Sequence, residues 1–149
     1  MKTLTTLLTG ALLLASTTTQ ARILRVNNVA VLATTCSTCF QTLSGAVAYA
    51  IDGDTIHLEP SDNHYGSASI NKRLIIIGNG YKLEGTTGNT GLQANTKQSR
   101  VLNLAFGTGS NGSQLIGTYF PGGNGSGLSI SNAQNITIRR NWIAIDVTM

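Results

Sequence analysis

LSGAVAYAIDGDTIHLEP, residues 43–60, changes its hydrophobic period once, and that change decides how the chain is read. Leu43, Ala46, Val47 and Ala50 recur at i, i+3, i+4 and i+7, which predicts a helix within Phe40–Ala50 presenting one apolar face of small residues. Gly53 lies just beyond and suits a C-terminal stop. From Thr55 onward the period falls to two. Ile56 and Leu58 alternate with Thr55, His57 and Glu59, which predicts a half-buried strand that Pro60 ends.

Toward the C-terminus no second helical pattern occurs. Short apolar segments follow instead: RLIIIGNGYKLEG (73–85), SRVLNLAFG (99–107), SQLIGTYF (113–120) and SGLSISNAQNITIRRNWIAID (126–146), separated by Gly and Asn. Ile56 to Ile76 is 20 residues, Ile76 to Leu102 is 26 and Leu115 to Ile138 is 23. A loose period in the low twenties matches one turn of a solenoid, so the expectation is an all-β right-handed parallel β-helix behind a short N-terminal capping helix. Ile56, Leu58, Leu74, Ile76, Val101, Leu115, Leu128, Ile130, Ile136 and Ile138 are then expected to point inward. The alternative is an antiparallel meander with Asn-Gly hairpins at Asn79, Asn111 and Asn124. Asn132 and Asn135 suit a corner better than a reversal.

Composition agrees with a β-rich body. Gly (17), Asn (13), Ser (12) and Thr (20) make 62 of the 149 residues, charged residues are 11% and aromatics 5%. Such a chain is poor in helix formers, which disfavours a helical bundle. A hydrophobic fraction of 41% is too high for disorder, and the length suits one small domain rather than a two-domain enzyme.

Residues 1–21 read as a secretory leader. Lys2 precedes an uncharged run from Leu4 to Ala15, and Thr19 and Ala21 occupy the two positions a signal peptidase inspects. That run of about 12 residues is shorter than the ~20 needed to span a bilayer, so no membrane span is expected, and the destination is secreted, extracellular or cell-surface. Without Lys2, nine basic residues face six acidic ones, a thinly spread +3 that does not point to nucleic acid. Arg139 and Arg140 form an adjacent basic pair, which suits a solvated strand edge or an anionic ligand. The expected organisation is a leader (1–21), an N-terminal segment with the capping helix (22–53), and solenoid coils (54–149).

The helix LSGAVAYAIDGDTIHLEP, the phrase NKRLIIIGNGY and the segment NAQNITIRRNWI, with Asn132, Asn135 and Asn141, resemble the N-terminal part of right-handed parallel β-helix proteins. These form the pectin-lyase-like superfamily, and the likeness is to its secreted surface proteins of Gram-negative bacteria. The resemblance implies a β-helix fold and leaves activity open, because the superfamily holds lyases, hydrolases and adhesins. Its Asp pairs, His-Gly, Arg-x-Lys and Arg-rich catalytic signatures have no matching positions here, so no catalytic residue is carried over.

Cys36 and Cys39 form a CxxC ahead of the helix. Only 14 residues separate it from the leader, too few for the βαβ frame of a redox fold, and a local disulfide is the expected state of an exported pair. A zinc site from Cys36, Cys39, His57 and His64 would need a His spacing wider than usual. Asp52, Asp54, Glu59, Asp62, Glu84 and Asp146 are the whole supply of carboxylates, and Asp52 and Asp54 suit turn and capping roles around Gly53. Sequons at Asn111, Asn124 and Asn135 suit corner positions. No catalytic, cofactor-binding or metal residue is assigned, and no cofactor is expected. The favoured role is a noncatalytic scaffold, adhesin or glycan-binding module whose partner is a polysaccharide or cell-surface glycan. The alternative is the N-terminal part of a polysaccharide lyase or hydrolase with active residues beyond Met149. The segment Trp142–Val147, mostly β-branched or aromatic, predicts end-to-end self-association of an uncapped stack.

Overall fold

The computed structural model describes residues 20–29, 36–80, 97–123 and 127–144. Its strands are β1 (Ile23–Val26), β2 (Cys39–Phe40), β3 (Thr55–Leu58), β4 (Ser67–Ile70), β5 (Ile75–Ile77), β6 (Asn103–Phe106), β7 (Gln114–Ile116), β8 (Tyr119–Phe120), β9 (Gly127–Ile130), β10 (Thr137–Arg139) and β11 (Trp142–Ile143). The helix α1 (Leu43–Tyr49) lies between β2 and β3.

The strands form three short sheets, ordered β10-β7-β5-β3-β1-β2, β4-β6-β9 and β11-β8, and every pairing between them is parallel. A two-residue hairpin joins only antiparallel strands, so the Asn-Gly pairs at Asn79 and Asn111 are turns of another kind. Asn124 lies outside the described residues.

The expected all-β right-handed parallel β-helix is corrected. With a helix packed against the six- and three-stranded sheets and a separate sheet of two strands, the arrangement of the described residues is a small α/β type in which no closed solenoid forms. The reason lies in the register. Leu24, Ile56, Ile76, Leu115 and Ile138 align across the large sheet, yet successive members are 32, 20, 39 and 23 residues apart. Ile76 pairs with Leu115 and not with Leu102, so the regular period that suggested identical coils is not the spacing of paired strands.

Alternation within each strand drives the packing. Leu24, Ile56, Ile76 and Leu115 are fully buried from the large sheet, and Leu104, Phe106 and Phe120 from the other two. Each such side chain contributes roughly 1.5–3 kcal/mol through apolar area removed from water. Leu58, Leu74 and Val101 are buried as well, whereas Leu128 and Ile136 are only partly buried. Ile130 and Ile138, expected inward, are 46% and 39% exposed. They lie on β9 and β10, edge strands with a neighbour on one side only.

Helix α1 is held at both ends by side chains. The Thr42 hydroxyl accepts from the Gly45 N–H at 3.1 Å, satisfying one of the free donors of the first turn. At the other end Lys72 Nζ donates to the carbonyls of Val47 (3.0 Å), Ala48 (3.2 Å) and Ala50 (2.9 Å). A cation on the last carbonyls also complements the helix dipole. The helix stops at Tyr49 with Ala50 extended, so Gly53 is not its cap. Gly53, at φ 91, instead turns the chain into β3.

Buried serines join neighbouring strands. Ser99 Oγ donates to the Leu58 carbonyl at 2.9 Å and accepts from the Asn79 N–H at 3.1 Å. Ser113 Oγ accepts from the Leu74 N–H at 3.0 Å. Such bonds satisfy main-chain groups that leave the ladder at strand ends and would otherwise be buried without partners.

Candidate functional site

The outer face of the β4-β6-β9 sheet forms an open groove of about 500 Å³. Period-two alternation puts Ala68, Leu104 and Leu128 on the inner row, which leaves Ser67, Asn103 and Gly127 abreast on the outer one. One step along, Ser69, Ala105 and Ser129 form a second outer row. Ser44, from the first turn of α1, also lines the groove. The polar lining is thus hydroxyl and amide, and none of the residues lining the groove is ionisable. It can exchange hydrogen bonds in both directions but holds no acid or base to move a proton.

A second feature stands on the β8-β11 sheet. The rings of Tyr119 and Trp142, paired in register, have centroids 4.7 Å apart, and the Arg100 guanidinium sits 5.7 Å from the Tyr119 centroid. Tyr119 and Trp142 are half-buried. Such stacking adds to the cohesion of a sheet of two short strands.

The carboxylates singled out in the sequence are dispersed into structural contacts. Asp52 Oδ1 accepts from the Arg73 N–H at 3.0 Å. Asp54 is fully buried and ion-paired with Arg22, Nη2 to Oδ2 at 2.7 Å. Burial pushes its carboxyl pKa up, but hydrogen bonds from the Arg22 side chain and from the Ile51 and Arg22 N–H groups prevail and hold it below the usual carboxylate range. Glu59 pairs with Arg25 and accepts from Asn27, and Asp62 pairs with Lys97. Glu84 and Asp146 lie outside the described residues. Burial, with the nearby Glu59 charge, pushes the Tyr65 phenol up to about 12, and its hydroxyl donates to the Glu59 carbonyl at 2.7 Å.

Cys36 and Cys39 are joined in a disulfide with their Cα atoms 5.4 Å apart. As a disulfide the pair offers no thiolate to a metal. Among the described residues no three His, Cys, Asp or Glu side chains converge in a way that would hold an ion, so His57 on β3 and the exposed His64 do not complete a site with the cysteines. Arg139 and Arg140 are both exposed, Arg140 in left-handed backbone at φ 53. Asn132 and Asn135 are also left-handed, and Asn141, just before β11, accepts through Oδ1 from the Thr118 N–H at 2.8 Å. Among the described residues no helix is long and apolar enough to cross a membrane.

The groove was not foreseen as a site. Its signal was the small polar alternation in SASI (67–70) and LSIS (128–131), which by itself marks only a solvated strand face. Compared with known proteins, the chain matches no family model, no curated protein and no solved structure.

Proposed function

We propose that the chain is an exported, noncatalytic module that binds a neutral glycan of the cell surface in the groove on the β4-β6-β9 sheet. The observation that carries this reading is the chemistry of the lining. Ser67, Ser69, Asn103 and Ser129 present hydroxyl and amide groups on neighbouring strands, which lie about 4.8 Å apart. Sugar hydroxyls donate and accept alike, and hydroxyl and amide side chains match them without the desolvation cost of a buried charge. Glycan cleavage needs paired carboxylates or a poised base beside the bond, and the groove lining contains neither. Export is supported by the leader at residues 1–21, of which all but Gln20 and Ala21 lie outside the described residues.

Titration of the exported protein with neutral and acidic oligosaccharides, followed by amide chemical shifts, tests this reading. Saturable shifts centred on Ser67, Ser69, Asn103 and Ser129 with a neutral sugar are the expected result. No saturable binding up to about 10 mM, an affinity of only a few kcal/mol, would overturn it. So would the release of reducing or unsaturated ends from any polysaccharide in the panel.

A further inference from the structure

We propose that the chain is cut between Ala21 and Arg22 and that the α-ammonium so created seats on the buried carboxylate of Asp54, locking the mature N-terminus into the fold. This rests on the export reading and is independent of glycan binding.

The seat is already built. The Arg22 main-chain nitrogen donates to Asp54 Oδ1 at 2.9 Å, while the other carboxylate oxygen, Oδ2, accepts from the Ile51 N–H at 2.9 Å and from Arg22 Nη2 at 2.7 Å. Arg22 is held in place from its other side, because its carbonyl accepts from the Thr55 N–H at 2.8 Å and β1 begins at the next residue. Hydrolysis adds one water across the Ala21–Arg22 bond. The C–N bond breaks, the water oxygen remains on the Ala21 carboxylate, and the nitrogen leaves as an amine that is protonated at neutral pH. The exporting cell's signal peptidase supplies the catalyst. The same nitrogen then donates to the same oxygen as a charged group, and charge-assisted hydrogen bonds are about twice as strong as neutral ones.

An ammonium has three N–H donors, and the structure has room for the other two. A cavity of about 240 Å³ is lined by Ala21 together with Asp52, Gly53, Arg73 and Gln114. Departure of Ala21 opens it to the new terminus, so water can reach the donors that Asp54 does not take. Asp52 is the one carboxylate among the residues lining this cavity, and the Tyr49 carbonyl, at the C-terminal end of α1, accepts from Arg22 Nη2 at 3.4 Å. The opposing cations are the Arg22 and Arg73 guanidiniums. Asp54 is fully buried, where a partner is worth more than it is in water.

The test uses the full chain expressed in a secreting bacterium. The exported product is mapped by intact mass and N-terminal sequencing, then melted with its α-amine free and after acetylation of that amine near pH 6.5, with peptide mapping to show that Lys72, Lys82 and Lys97 are unmodified. The expected product begins at Arg22, and acetylation lowers its melting temperature by about 3–8 °C. In Asp54→Asn acetylation shifts it by less than about 1 °C. Acetylation leaves every side chain in place, so the wild-type comparison holds even if Asp54→Asn does not accumulate. Intact Met1 chain retained in the cytosol would overturn the export reading, and the processing with it. A product that begins at Arg22 but melts alike in both forms would overturn the lock alone.

Discussion

Gly78 and Gly117 lie with their backbones in contact: a Cβ on Gly78 would stand 2.3 Å from the Gly117 carbonyl oxygen, and one on Gly117 would stand 2.9 Å from that of Gly78. Neither neighbour can retreat, since Gly78 donates to the Ile116 carbonyl and Gly117 to that of Arg139. Gly78→Ala is therefore expected to destabilise by more than about 2 kcal/mol in urea unfolding, through backbone displacement. Gly66→Ala is the control. It has φ +76 but nothing within 4 Å of an added Cβ, so it carries only the left-handed strain of about 1–2 kcal/mol.

Asp54 makes stability sensitive to acid. Its carboxyl is held below the usual range in the fold, so its contribution is fully present above the unfolded value, about 3.9, and is lost as pH falls through the folded value. Melting curves from pH 7 to pH 2 should show wild type losing more stability than Asp54→Asn across the acid limb. Equal slopes would mean that the other carboxylates carry the whole acid response.

Burial separates residues that look alike in the sequence. Phe106, 1% exposed, should cost about 3–5 kcal/mol on replacement by Ala. Ile138, whose strand is the sheet edge, should cost under about 1.5 kcal/mol. Chemical denaturation of the two variants checks the ordering, and a reversed order would show that the β10 edge is covered in solution.

Asn103 is the one amide among the residues lining the groove, set in register between Ser67 and Gly127. Asn103→Ala should weaken neutral glycan binding about five- to tenfold, the loss of one or two hydrogen bonds, while changing stability by under about 0.5 kcal/mol because the residue is exposed. Calorimetric titration alongside thermal melting separates the two effects.

Local patterns were legible. The 3.6-residue period in LSGAVAY and the alternation in TIHL each name the element that forms, because both depend on neighbours within one or two turns of chain. The alternation also marked Ile56, Leu58, Ile76 and Leu115 as core. β1 was missed, since ILRV is only four residues long and begins one residue after the stretch 1–21 that reads as a leader.

Of the site, the sequence showed only small polar residues in alternation. That Ser67 would stand beside Asn103, 36 positions away, is a fact of register.

The sequence by itself determined where the helix and several strands form, which faces of β3, β5 and β7 turn inward, and that Cys36 and Cys39 are close enough to join. Only the tertiary structure decided that Ile76 aligns with Leu115, that the strands divide into three sheets, and that Asp54, which reads as a turn residue, is buried against Arg22. The physical reason is that side-chain periodicity is written along the chain, whereas pairing between distant strands is made by main-chain hydrogen bonds that every residue but proline can form. Register then depends on which apolar rows fill the same core and on the course of the intervening chain, and neither is a property of any short stretch of sequence.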